Sequence, residues 1–236
     1  MPANPSAERY SQHEGWPAIV TRDTWDSVLA AANTFVGKQT SLGFELDPKH
    51  LAFVLSRYKF VAKILGGRGS ALEIGCGDGF GTTIVASVMD RVLALDVEPD
   101  TLDNRSRNSV LDAKVEFRVH DILAAPTSEP FDAAFSLDVI EHIPTDLEDA
   151  FYGNIIRSLK PTAMCVIGTP NKSAEGWQSE ISRRDHVNLK IHDGLAADME
   201  KHFDYVLMFG MNDEVVHTGF GPMCHYLMAI GIQPRL

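Results

Sequence analysis

The sequence holds only three cysteines, Cys76, Cys165 and Cys224, and none stands in a CxxC pair. An odd count without paired spacing argues against a disulfide framework or a zinc knuckle. No apolar run approaches the ~20 residues that a membrane-spanning helix needs. Positive charge is scarce: 21 Lys and Arg stand against 32 Asp and Glu, a net charge of −11. So acidic a chain repels phosphate backbones, which counts against a nucleic-acid substrate. Its one dense basic cluster, Arg57, Lys59, Lys63 and Arg68, reads as a solvated helix face. Residues 1–15 lack the basic-then-apolar order of a signal peptide, so a cytoplasmic protein is expected. Internal repeats and low-complexity tracts are also missing.

What is present is an alternation. Residues 1–22 read as a loose lead-in, followed by two helical stretches. Asp23 can cap the first, with Trp25, Val28, Leu29 and Ala32 at helical spacing. Asp47-Pro48 opens the second, and Gly66-Gly67 end it. Leu51, Val54, Leu55, Tyr58, Val61, Ala62 and Leu65 mark its buried face. From Ser70 onward, short apolar runs alternate with helical segments: 71–74, 92–95, 115–119, 131–137, 164–168 and 205–209. That rhythm predicts a largely parallel sheet with helices on both faces. A last run, 224–232, follows after a connection too short for a parallel crossover, which predicts an antiparallel strand. The expected fold is a Rossmann-like, doubly wound α/β sheet of seven strands, six parallel and one antiparallel. The expected division is an N-terminal extension and helical cap over 1–66 and a ligand-binding domain over 67–236, packed as a single globular unit.

Between the first strand and the next helix lies Glu73-Ile74-Gly75-Cys76-Gly77-Asp78-Gly79. Such a loop turns sharply and lets a ligand approach the backbone. The dinucleotide fingerprint GxGxxG fails from every start, because its last position falls on Phe80, Thr82 or Ile84. With no Tyr-x-x-x-Lys pair either, a nicotinamide-dependent dehydrogenase is disfavoured. A P-loop is excluded by the lack of GK[ST]. Three acids follow successive strands: Asp96 in Leu95-Asp96-Val97, Asp121 in His120-Asp121-Ile122, and Asp138. An acid after the second strand can accept two hydrogen bonds from ribose hydroxyls. Singly, each acid could equally be a helix cap or turn residue.

Taken in order, these motifs resemble class I S-adenosylmethionine (SAM)-dependent methyltransferases. The segments Phe131-Asp132…Glu141-His142 and Leu159-Lys160-Pro161…Thr169-Pro170-Asn171 strengthen the likeness, with Thr162-Ala163 where that family usually has glycines. The likeness spans roughly 55–171. It narrows toward quinone-biosynthesis O-methyltransferases, which share an Arg upstream of the glycine loop, here Arg57, and an acid cluster, here Asp138-x-x-Glu141-His142. The resemblance implies a SAM site built from Arg57, Glu73, Gly75, Cys76, Gly77, Asp96, Val97, Asp121, Ile122, Leu137 and Asp138. It also implies a divalent metal such as Mg²⁺ on Asp138, Glu141 and His142. If the segment is helical, Asp138 and Glu141 face one way, and two carboxylates with an imidazole suit such an ion. The alternative is that Glu141-His142 merely start a helix and shape the pocket.

Ligands of open α/β sheets sit beyond the carboxyl ends of the strands. That places the acceptor under the segments 170–188 and 211–220. His186 and His217, with His142 as a third, are candidates for a general base. Phe35, Phe44 and Phe53 are candidates for pocket lining or for core. The reading is methyl transfer to a small molecule, with a hydroxyl oxygen favoured. N-methylation, O-methylation of a sugar or cell-surface precursor, and a non-catalytic SAM-binding partner protein stay open. So does the oligomeric state, a homodimer included.

Overall fold

The computed structural model describes residues 36–103, 105, 112–177 and 184–236. The expected helix from Asp23, Phe35, and residues 178–183 of the segment after the fifth strand, Arg183 included, lie outside these residues. The description begins with helix α1 (Lys38–Leu46), which has no buried residue. Helix α2 (Pro48–Leu65) starts where Asp47 accepts from the amide of Lys49 and Pro48 takes the first helical position. It stops at Gly66, whose amide bonds the carbonyl of Ala62.

The strands are β1 (Ser70–Ile74), β2 (Arg91–Asp96), β3 (Val115–Val119), β4 (Phe131–Leu137), β5 (Leu159–Pro170), β6 (Phe203–Asn212), β7 (Val215–His217) and β8 (Tyr226–Pro234). They form one sheet in the order β3-β2-β1-β4-β5-β8-β6-β7. Helices α3 (Thr82–Ala86), α4 (Pro99–Asp103), α5 (Glu148–Arg157) and α6 (His192–Glu200) intervene. The fold class is as expected, a Rossmann-like mixed α/β sheet, but the strand count is not. Among the described residues the sheet has eight strands, with three antiparallel pairings: β5–β8, β6–β8 and β6–β7. Two physical causes produce the difference. β8 inserts between β5 and β6, so one reversed strand has two antiparallel neighbours. The chain after β6 turns at Asp213, with φ of 51°, and returns as the short β7. That turn carries no glycine to announce it.

Alternation along the strands builds two cores. Leu72, Ile74, Leu93, Leu95 and Ile167 face Phe151 and Ile155 of α5 and Leu195 of α6. Ala71, Phe135, Val166 and Met228 face Tyr58, Val61 and Leu65 of α2. Both faces of the central strands are apolar, as a sheet covered on both sides requires. Only the second half of the expected α2 face is core, since Leu51, Val54 and Leu55 are merely half-buried. Arg57 leaves the solvated cluster assigned to it: its side chain is 12% exposed, whereas Lys59, Lys63 and Arg68 are exposed. Phe44 is not core either, being 56% exposed. Among the described residues no helix is long and apolar enough to cross a membrane.

Strand order reverses beside β1, with β2 on one side and β4 on the other. This is the point where open α/β sheets leave a crevice at their carboxyl edge.

Candidate active site

The glycine loop fills that crevice. The amides of Gly75 and Cys76 both donate to the carbonyl of Leu95, at 2.8 and 2.9 Å, fixing the turn against β2. Gly75 has φ of 76°, and a Cβ there would lie 2.3 Å from Val139, so only glycine fits. Asp96 is oriented by backbone: it accepts from Gly77 at 2.9 Å and from Glu98 at 3.0 Å. Beneath the loop, Glu73 is buried and neither carboxylate oxygen has a hydrogen-bond partner. Burial lifts it to about 7, although the nearby hydroxyls of Thr82 and Tyr58 pull the other way.

A cavity of about 300 Å³ opens above the loop. It is lined by Gly75, Cys76 and Gly77 of the loop, by Leu137 and Asp138, and by Gln39, Thr40, Leu51 and Val54 from α1 and α2. Asp78 fastens α1 over it, accepting from the amide of Thr40 at 2.7 Å and from its hydroxyl at 2.9 Å. Asp78 and Thr40 were missed from the sequence. Asp78 stands between two glycines and reads as a spacer, and Thr40 belongs to no motif.

The expected cofactor residues other than Arg57, which is not among the cavity's lining residues, fall into three groups. Gly75, Cys76, Gly77, Leu137 and Asp138 line the cavity. Glu73 and Asp96 support its loop. Asp121, Ile122 and Val97 are not among its lining residues. Asp121 is exposed and accepts from the amide of Leu123 at 2.8 Å, and Ile122 is buried with its carbonyl bonded to Asn154. Val97 is 56% exposed.

A second cluster lies close to Asp138. The segment after β4 is not an α-helix but a single tight turn, Ile140–His142, preceded by Asp138 at φ 57°. The two acids therefore diverge. Asp138 accepts from Arg57 Nη1 through both oxygens, at 2.9 and 2.8 Å. The Arg57 guanidinium carbon also sits 3.9 Å from the centre of the Tyr226 ring. Glu141 turns inward, fully buried, and accepts from the Thr169 hydroxyl at 2.9 Å through one oxygen, leaving the other without a partner. Burial, then the charge of Asp138, pushes Glu141 up to about 8.

The ligand atoms of Glu141, His142 and His186 lie within 4.8 Å of one another. Of the expected trio Asp138, Glu141 and His142, the last two lie in this group with His186, whereas Asp138 is engaged by Arg57. The Nδ1 of His186 is buried and unpartnered, and burial holds its pKa below the ordinary imidazole value. The His142 ring packs edge-on against it at 5.0 Å, with its own Nδ1 3.0 Å from the carbonyl of Asp185. His217 is not brought into this cluster. Its two ring nitrogens contact Asn212, at 2.7 Å, and the amide of Gly219, at 3.0 Å.

Residues 71–162 match the family described as "Methyltransferase domain". The chain is 28% identical over 149 residues to a probable S-adenosylmethionine-dependent methyltransferase of Mycolicibacterium smegmatis, covering 62% of this chain and 55% of the relative. It is 29% identical over 149 residues to a ubiquinone biosynthesis O-methyltransferase of Xanthomonas campestris, covering 60% and 57%. The chain thus spans little more than half the length of these relatives. Among solved structures, it superposes on the N-methyltransferase NodS of Bradyrhizobium japonicum with a TM-score of 0.59 at 18% identity, covering 80% of this chain and 98% of that one. The chain has the class I SAM-dependent methyltransferase fold, and within it residues 71–162 are the part that matches the methyltransferase-domain family.

Proposed function

We propose that the protein transfers a methyl group from SAM to the hydroxyl oxygen of a small molecule. One observation carries the reading. Asp138 lines the cavity over the glycine loop and is near enough to act electrostatically on Glu141 and His186, which are grouped with His142. A candidate cofactor cleft and a group of proton-handling side chains are thus linked through Asp138. SAM, when bound, supplies an electrophilic methyl group on a sulfonium. The glycine loop and Asp96 hold the cofactor's amino-acid and ribose parts. The remaining task of the chain is to bring the nucleophile into line, where correct placement contributes several kcal/mol, of order 7–11 in the best intramolecular cases.

A hydroxyl acceptor is favoured because it must lose a proton and a base stands ready. Burial favours the neutral form of the His186 ring, whose Nδ1 has no partner. An amine would need only to arrive unprotonated. The net charge of −11 supports a small molecule over a nucleic acid.

The unpartnered oxygen of Glu141 and nitrogen of His186 also fit a divalent cation, with His142 as third ligand. A carboxylate with two imidazoles suits a first-row metal better than Mg²⁺, which prefers oxygen. Bound there, such an ion would lower the pKa of an acceptor hydroxyl.

The test is titration calorimetry with S-adenosylhomocysteine, on the wild type and Asp96→Ala, before and after EDTA. Micromolar binding that the substitution removes supports the cofactor site. Absence of binding by the wild type sinks the reading. Cobalt(II) absorption in the visible range, lost in His186→Ala, would support the metal.

A further inference from the structure

The segment 184–190 carries His186 and is fastened with unusual care. The amides of Val187 and Asn188 both donate to the carbonyl of Glu141, each at 2.9 Å. Asn188, 6% exposed, donates from Nδ2 to the carbonyl of Ile143 at 3.0 Å and to the carboxylate of Glu148. Lys190, whose side chain is 11% exposed, reaches that same Glu148 carboxylate and, at 2.8 Å, Asp198. Its carbonyl accepts from the amide of Lys172 at 2.8 Å. Asn188 and Lys190 therefore tie one short segment to the start of α5, to α6 and to the chain leaving β5.

Stability alone is a poor reason for this arrangement. A lysine sequestered between two carboxylates loses hydration on three charges, and replacing such groups with apolar ones is often neutral or stabilising. What the network fixes is position. His186 stands two residues before Asn188 and four before Lys190, and its ring has no hydrogen bond at Nδ1 to hold it. The same segment also grips Glu141 through its carbonyl, so the two side chains share one mount.

We infer that Asn188 and Lys190, joined through Glu148, are positioning residues that hold the His186 ring opposite Glu141 and His142. They touch none of the reacting atoms and act through the backbone of 186–188. The inference rests on the proposed role of His186.

The experiment uses full-length protein labelled at histidine and reads the nuclear Overhauser contact between the His142 and His186 rings, whose centres are 5.0 Å apart. The variants are Asn188→Ala, Lys190→Met and Lys190→Arg, each checked by thermal melting and by titration with S-adenosylhomocysteine. The expected result is cooperative melting and cofactor-product affinity within twofold of wild type in all three. The ring contact is lost in Asn188→Ala and Lys190→Met and returns in Lys190→Arg. A ring contact that survives Asn188→Ala and Lys190→Met overturns the inference. So does loss of cooperative melting in both, which would make the residues purely structural. Failure of the methyltransferase reading would appear separately, as a wild type that keeps the ring contact but binds no S-adenosylhomocysteine.

Discussion

Arg57 holds both carboxylate oxygens of Asp138 through a single nitrogen, joining a residue of α2 to the first residue beyond β4. The two are 81 positions apart in the chain. Tyr226, from the reversed strand β8, lies against the guanidinium from the other side. Three elements that are remote in sequence therefore meet at Asp138, which lines the cavity over the glycine loop. Replacing Arg57 with Met leaves Asp138 without its counter-charge and near the acid Glu141. Breaking a fully buried pair costs about 3–5 kcal/mol, and Asp138 is 37% exposed, so a loss of ~2 kcal/mol is expected. Urea denaturation measures it. Adding Asp138→Asn to Arg57→Met should recover part of the loss, because the unpaired charge is then gone. Simple additivity of the two effects would show that the pair is not coupled.

Two buried carboxyls contribute a distinct part of the response of stability to pH. Glu73 is pushed up to about 7 and Glu141 to about 8, both chiefly by burial. In the unfolded chain, glutamates ionise near 4.3. Between that value and the raised ones, the folded protein binds more protons than the unfolded one. Stability is therefore full at the acid side of the window and is lost as pH rises through 7 and 8. Glu141→Gln keeps an oxygen for the Thr169 hydroxyl and removes one titration. Melting temperature in that variant should fall less steeply between pH 5 and pH 9 than in wild type. Glu73→Gln should flatten the lower part of the same window. Parallel curves for wild type and both variants would contradict the assignment.

The sequence carries the frame of this molecule more clearly than its site. β1 to β5 are short apolar runs separated by helical segments, and each was visible because local pattern and final environment agree. β7 was invisible: three residues after a turn without glycine make no pattern. At the site, the glycine loop and Asp96 announce themselves by order and spacing. The partners of the acids do not. Whether Asp138 turns toward a metal or toward Arg57 depends on a backbone angle of 57°, which no spacing encodes. The presence of His186 in the cluster depends on a segment some forty residues away that packs on Glu141 by its amides. Long-range side-chain pairing of this type leaves no periodic trace.

Gly75 offers a sharper test of the cavity than any charged residue. Its φ of 76° is costly for a residue with a side chain, by about 1–3 kcal/mol. Gly75→Ala should therefore lower the melting temperature and also weaken S-adenosylhomocysteine binding at least tenfold, because Val139 must move away from the added methyl. Pairing it with Val139→Ala removes the clash and leaves the backbone strain. Binding that recovers while stability stays low would assign the loss of affinity to the clash. Binding that stays lost in the double variant would assign it to the turn, and so to the amides of Gly75 and Cys76 that the turn fixes against Leu95.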